Sequence, residues 1–247
     1  MFINVNDYKH KESDTEMIQS ALDDAYLSGT TVIIPKHNER TNKDMWEIDK
    51  TIMLNNESTI VLQNAHLRLA DGAVCNMFSN KNARTEIALS EEGTQKNIHI
   101  MGIGKAVLDG GIHNQMYEDN GITRKVMKKS AHHITENCMM YFQNVENIII
   151  ENITIKNSRY WGIYFIYSSY GRVSGIHFES ESNVPNQDGV DLGKGCRNFI
   201  IEKITGCVGD NIVAINVTGH DIYGPCMGDK RRGDVHNVII RDLLIYG

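Results

Sequence analysis

A nine-residue pattern recurs along most of the chain and restricts what it can fold into. Asn147 opens NIIIENITI, Asn198 opens NFIIEKITG, Asn237 opens NVIIRDLLI and Asn97 opens NIHIMGIGK; Thr59 and Tyr170 open the looser copies TIVLQNAHL and YGRVSGIHF. Each copy has two apolar residues spaced by two, a turn-like pair, and usually a second apolar pair. In the copy at 147 these are Ile148 and Ile150, then Glu151-Asn152, then Ile153 and Ile155. Apolar residues at every second position make a strand with one buried face. The intervening pair bends the chain into the next strand. The copies start at 59, 97, 147, 170, 198 and 237. On this spacing the 50 residues after 97 hold two turns, and the steps near 39 hold one turn plus a loop. Short recurring units of this kind indicate a solenoid, and units made only of strands favour an all-β parallel β-helix over helical repeats. Asparagine is abundant, 24 of 247 residues, which predicts side-chain ladders at the corners. A β-sandwich would need hairpin signals between strands; the one Asn-Gly pair, Asn120-Gly121, lies in a polar stretch instead.

One segment has a helical period. Ile18, Ala21, Leu22, Ala25 and Tyr26 share a face, Ser13-Asp14-Thr15-Glu16 fits a capping box, and Gly29 fits the position after the helix. A helix over 15–28 followed by Val32-Ile33-Ile34-Pro35 predicts a cap over the first coil, where an open sheet edge needs cover. The expected layout is one domain over 1–247, with cap and first strand in 1–35 and coils in 36–247.

Composition excludes several functions. The net charge of −6 and the absence of a basic stripe argue against nucleic-acid binding. No apolar run reaches the ~20 residues of a membrane span, and the N-terminus shows no secretory leader, so a cytoplasmic location is expected. Five cysteines at irregular spacing, without a CxxC pair, predict reduced buried thiols. No cofactor and no metal site are expected; the adjacent His132 and His133 would point to opposite sides of a strand.

The chemistry-bearing stretch is 183–224. Asn186-Gln187-Asp188-Gly189-Val190-Asp191 and Gly209-Asp210-Asn211 lie about one coil apart, with 22 residues from Asp188 to Asp210. Adjacent coils would bring these carboxylates onto one face. Two nearby carboxylates repel when both are ionised, so one holds its proton to higher pH, the pattern of a general acid beside a general base. The structural alternative is that Asp and Asn simply make tight turns.

These segments resemble glycoside hydrolase family 28, the polygalacturonase family. Asn186-Gln187-Asp188 matches its Asn-x-Asp motif and Gly209-Asp210-Asn211 its Gly-Asp-Asp motif. Asn157-Ser158-Arg159-Tyr160-Trp161 resembles its Asn-Ser-x-x-Trp segment, and Gly102-Ile103-Gly104 with Asp109-Gly110-Gly111 its glycine-rich coil. The start of the chain is similar to that of many pectin-lyase-like β-helices. The resemblance implies a right-handed single-stranded parallel β-helix that hydrolyses glycosidic bonds with inversion, often in pectic polymers. It implies Asp210 as the acid that protonates the leaving oxygen and Asp188 as a base on water, with Asn186, Asp191, Trp161 and His220 contacting substrate. Inverting enzymes hold acid and base ~6.5–9.5 Å apart to admit that water.

The chain departs from the family in three places. Asn211 stands where the family has its second Asp, and an amide orients water without taking its proton. Gly219-His220 comes only ten residues after Asp210, too early for the family's Gly-His motif, so His220 reads as a loop residue. The family's Arg-x-Lys motif has no counterpart. The expectation is a solenoid cut in mid-coil, whose last strand pair is covered by further chain or by self-association. The polar stretch 111–140, with Arg124, Lys125, Lys128 and Lys129, would wall a site for an acidic sugar, and Lys230-Arg231-Arg232 is a second basic cluster. Tyr160, Trp161, Tyr164 and Tyr167 offer rings for stacking on sugars or for core packing. The competing functions are a carbohydrate-binding β-helix without catalysis, a lyase or epimerase on the same scaffold, and a structural β-helix.

Overall fold

The computed structural model describes residues 1–111, 137–180, 186–217 and 233–246. Every strand pairing among them is parallel, and the chain winds as a right-handed solenoid, the hand that parallel crossovers adopt. One long face stacks β1 (Phe2–Asn4), β2 (Thr31–Pro35), β5 (Thr59–Gln63), β8 (Gln95–Ile103), β11 (Val145–Lys156), β13 (Ser169–Glu179), β15 (Arg197–Cys207) and β17 (His236–Ile245). A second face stacks β4 (Ile52–Leu54), β7 (Phe78–Asn80), β10 (Met140–Gln143), β12 (Ile163–Ile166), β14 (Val190–Leu192) and β16 (Val213–Ile215). The third is formed by β3 (Trp46–Ile48), β6 (His66–Leu69) and β9 (Val107–Asp109), which runs on into the second half of β11.

Inward positions line up from coil to coil. Ile60, Ile100, Ile150, Val173 and Ile201 share one register and are fully buried. Each such side chain contributes roughly 1.5–3 kcal/mol of apolar burial. Phe142 stacks on Phe165, which packs on Phe199. Outside, Glu202 accepts from Arg172 on the coil before it and Arg241 on the coil after it.

The corners explain the asparagines. Asn97, Asn147, Asn198 and Asn237 all have left-handed backbones, with φ between 56° and 60°, and occupy one column. Asn147 Nδ2 donates to Asn97 Oδ1 at 2.7 Å, and Asn237 Nδ2 to Asn198 Oδ1 at 3.0 Å. Tyr170, φ 56°, occupies the same column and interrupts the ladder. Asparagine tolerates this conformation and its amide stacks in register. In the copy at 59 the corner is Glu57, not Thr59: Thr59 pairs with His99, and Glu57 accepts from Asn97. The bend within each copy is one left-handed residue rather than two, and β11 continues through Asn152 (φ 59°) as a single strand.

The step of 50 residues holds one turn, not two. Ile148 pairs directly with Ile98, so no coil intervenes between β8 and β11. The extra residues include 112–136, which lie outside the described part, as do Arg124, Lys125, Lys128, Lys129, His132 and His133.

Helix α1 (Asp14–Ser28) caps the first coil. Ser13 accepts from the Glu16 N–H, and Gly29 closes the helix in a left-handed conformation. Met17, Ile18, Ala21, Leu22 and Ala25 are buried, while Tyr26 is exposed. Eight residues carry Tyr26 about 80° round the axis from Ile18, off the buried stripe, and Met17 takes its expected place. Two short 3-10 helices, Val5–Tyr8 and Glu86–Leu89, carry no apolar period that would have revealed them. No disulfide joins the four described cysteines, and Cys75, Cys138 and Cys196 are buried.

Candidate functional site

The carboxylates gather where the chain turns into the second face. Ile163 pairs with Val190 and Val190 with Val213. Two residues earlier, this register puts Trp161, Asp188 and Asn211 at one place on three successive coils. The backbone seals it: Gly162 N–H donates to the Asp188 carbonyl, and Gly189 N–H to the Asn211 carbonyl. The glycine after Asp188 is a steric requirement, because a Cβ at Gly189 would stand 2.4 Å from the Ile212 carbonyl oxygen. The coil step is therefore 23 residues, and Asp188 stacks with Asn211 rather than with Asp210.

Asn211 Nδ2 lies 3.2 Å from Asp188 Oδ2 and 3.0 Å from Asp210 Oδ1, so one amide joins both carboxyl groups. Asp188 and Asp191 are 4% and 6% exposed, whereas Asp210 and Asn211 are exposed. Burial pushes Asp188 up to about 6; the Asp210 charge adds to this and the Asn211 hydrogen bond opposes it. Burial, with the Asp188 and Asp210 charges next, pushes Asp191 well above the ordinary carboxylate range. Both carboxyl groups thus hold their protons to higher pH than an exposed aspartate, and Asp188, near 6, is largely ionised at neutral pH. Asp188 Oδ1 and Asp191 Oδ2 are buried without a hydrogen-bond partner among the described residues. Such atoms cost free energy unless water or a ligand meets them. The described residues contain no group of three or more His, Cys, Asp or Glu arranged to hold a metal ion.

The other expected contacts divide. Asn186, in a left-handed conformation, accepts from the Tyr160 hydroxyl at 3.4 Å. Gln187 is buried and donates to the Ser158 carbonyl, which ties the Asp188 turn to the coil before it. Trp161 is partly exposed, with its ring 4.9 Å from both Tyr160 and Tyr164. Tyr160, Tyr164 and Tyr167 are buried, so Trp161 alone of the four offers much ring surface. His220 and Lys230-Arg231-Arg232 lie outside the described residues.

Two arginines near the site had no signal in the repeat. Arg159 is fully buried and donates to the carbonyls of Gly110, Ala70 and Ala73, binding the 70–73 segment to the coil beneath the site. Arg84 stands over the Tyr141 ring, 4.0 Å from its centroid. Nearby, burial opposes ionisation of Asp109, but hydrogen bonds from His66, Asn157 and the Gly111 N–H, with Lys156 adjacent, hold it below the usual carboxylate range.

The structure is a capped parallel β-helix with carboxylates on adjacent rungs of one face. Residues 31–243 match Glycosyl hydrolases family 28, and the chain belongs to that family. Among solved structures it is similar to the family 28 exopolygalacturonase of Yersinia enterocolitica, with a TM-score of 0.73, 16% identity, and coverage of 99% of this chain and 49% of that one. Against the Erwinia carotovora polygalacturonase the values are 0.70, 17%, 95% and 60%. Against a Parabacteroides merdae protein assigned as a glycosyl hydrolase they are 0.67, 13%, 99% and 96%. The chain thus spans about half to three-fifths of the two polygalacturonases. No curated protein sequence matches it.

Proposed function

We propose that the protein hydrolyses glycosidic bonds in a uronic-acid-containing or related pectic glycan, with Asp210 as general acid and Asp188 as general base. The observation that carries this reading is the Asn211 amide shared between the two carboxylates beside two partnerless carboxylate oxygens. Above about pH 6 Asp188 is ionised and able to accept a proton from water. Asp210 is the exposed member, open to the leaving oxygen of a bound sugar. Asn211 replaces a second base: its NH₂ group is engaged by the carboxylates, which leaves its carbonyl oxygen to orient the water.

The shared amide keeps the nearest Asp188 and Asp210 oxygens within about 6 Å, twice a hydrogen-bond length. An inverting water needs ~6.5–9.5 Å between the carboxyl groups. Asp210, exposed and held by one neighbour, is the group that swings away when substrate and water enter. Incubating pectic oligosaccharides with the wild type and following the anomer of the first product tests the reading. An inverted product supports it, and a retained anomer or an unsaturated product contradicts it.

A second reading is a carbohydrate-binding β-helix without turnover, favoured by Asn211 in place of a carboxylate. It predicts saturable oligosaccharide binding and no release of reducing ends.

A further inference from the structure

The outer surface of the second face is covered on the β7 side of the carboxylates. Along the solenoid axis, Tyr141, Tyr164, Asp191 and Ala214 occupy the same outward position on successive strands. Tyr141 and Tyr164 are 2% and 3% exposed although their strands face outward. Part of the cover is the segment that leaves β7. Ala83 and Leu89 pack on the tyrosine cluster, and the Arg84 guanidinium lies over Tyr141. The segment is pinned at several points. Arg84 N–H donates to Gln143 Oε1 at 2.8 Å, Asn144 Nδ2 to the Ser90 carbonyl at 2.8 Å, and Thr94 Oγ1 to Asn144 Oδ1 at 3.1 Å.

We infer that segment 82–94 is a barrier that makes the enzyme act on chain ends. Strands are ~4.8 Å apart, so Tyr164 lies one rung from Asp191, and Arg84 over Tyr141 closes the face at two, about 10 Å away. A pyranose ring is about as long as one rung, so this side accepts a single terminal sugar. Trp161, partly exposed and one coil from Asp188, is the ring against which that sugar rests. The remainder of the substrate lies toward β16. An interior segment of a polymer would have to pass through the Arg84–Tyr141 contact and is excluded.

This inference rests on the hydrolase reading, and its test separates the two. End-labelled oligouronides three to six units long are digested with the wild-type protein, and products are resolved from the first time points. Chain-end action predicts that every oligomer shortens by one unit, with the single-unit product present from the start. Internal products at the first time points overturn the barrier while leaving the hydrolase reading intact. No cleavage of any oligomer overturns the hydrolase reading and this inference with it. The Arg84→Ala/Leu89→Ala double variant, neither residue belonging to the catalytic set, is then compared after its fold is checked by circular dichroism. It should release longer products. If it folds and gives the wild-type pattern, segment 82–94 is not the barrier. If it does not fold, the wild-type pattern decides by itself.

Discussion

Asn211 lies one coil beyond Asp188 in the same column, and its amide donates to the Asp188 carboxylate at 3.2 Å. That hydrogen bond favours the ionised form of Asp188 against the effect of burial. Replacing Asn211 with Ala therefore raises the Asp188 pKa above about 6. The acidic limb of the kcat/KM profile, which reports ionisation of the base in the free enzyme, should move to higher pH. An unmoved limb would show that the bond does not form in solution.

The same carboxylate is a liability for the fold. An isolated Asp titrates near 3.8, and Asp188 in the folded protein near 6. Between these values the folded state binds the extra proton, so stability falls as pH rises through this window and stays low above it. Asp188→Asn removes the penalty, which is at most about 3 kcal/mol at pH 7. The expected result is a higher Tm at pH 7, a flatter dependence of Tm on pH between 4 and 6, and loss of turnover. A lower Tm at pH 7 would contradict the burial account.

Gly189 sets where Asp188 points. A methyl group there would meet the Ile212 carbonyl at 2.4 Å, and both are backbone-constrained. Gly189→Ala must separate the β14 and β16 coils or turn Asp188 away. Misplacement of a catalytic group by about 1 Å costs on the order of 100-fold in rate. The variant should lose activity of that size, with a modest loss of stability, as measured by oligosaccharide turnover and thermal unfolding.

Arg159 is the structural counterpart. Its guanidinium satisfies the carbonyls of Gly110, Ala70 and Ala73 from a fully buried position. Arg159→Met leaves those acceptors without their donor, at about 1–3 kcal/mol for each one that water does not reach. A large drop in Tm is expected, and an unchanged Tm would show that water replaces the arginine freely.

How far the sequence discloses all this depends on the length scale of the interaction. The capping helix was legible from its own apolar period and caps, and the coils and the corner asparagines because they repeat: Ile148 and Ile150 recur as Ile98 and Ile100, and the Asn147 amide needs a like neighbour one coil away. The carboxylate cluster was legible as a neighbourhood but not in its exact register. Counting from Asp188 to Asp210 put the two about one coil apart on one face, and the β14–β16 register stacks Asp188 with Asn211. Register is set by backbone pairing at Val190 and Val213, which side-chain spacing reveals only to within a residue. The 50-residue step was misjudged because a long excursion from one coil and an additional coil look alike to a periodicity argument. Arg84 and Arg159 were not foreseen, since each meets its partners across 49 or more residues of sequence and belongs to no repeat.

The account stands most directly on Asp210. Release of new reducing ends from pectic oligosaccharides should be measured for the wild type and for Asp210→Asn, with matching circular dichroism spectra for the two. Loss of the proton donor predicts a fall of about 100- to 10,000-fold with the fold and sugar binding preserved. Turnover within a few-fold of the wild type in a folded Asp210→Asn protein would contradict the assignment.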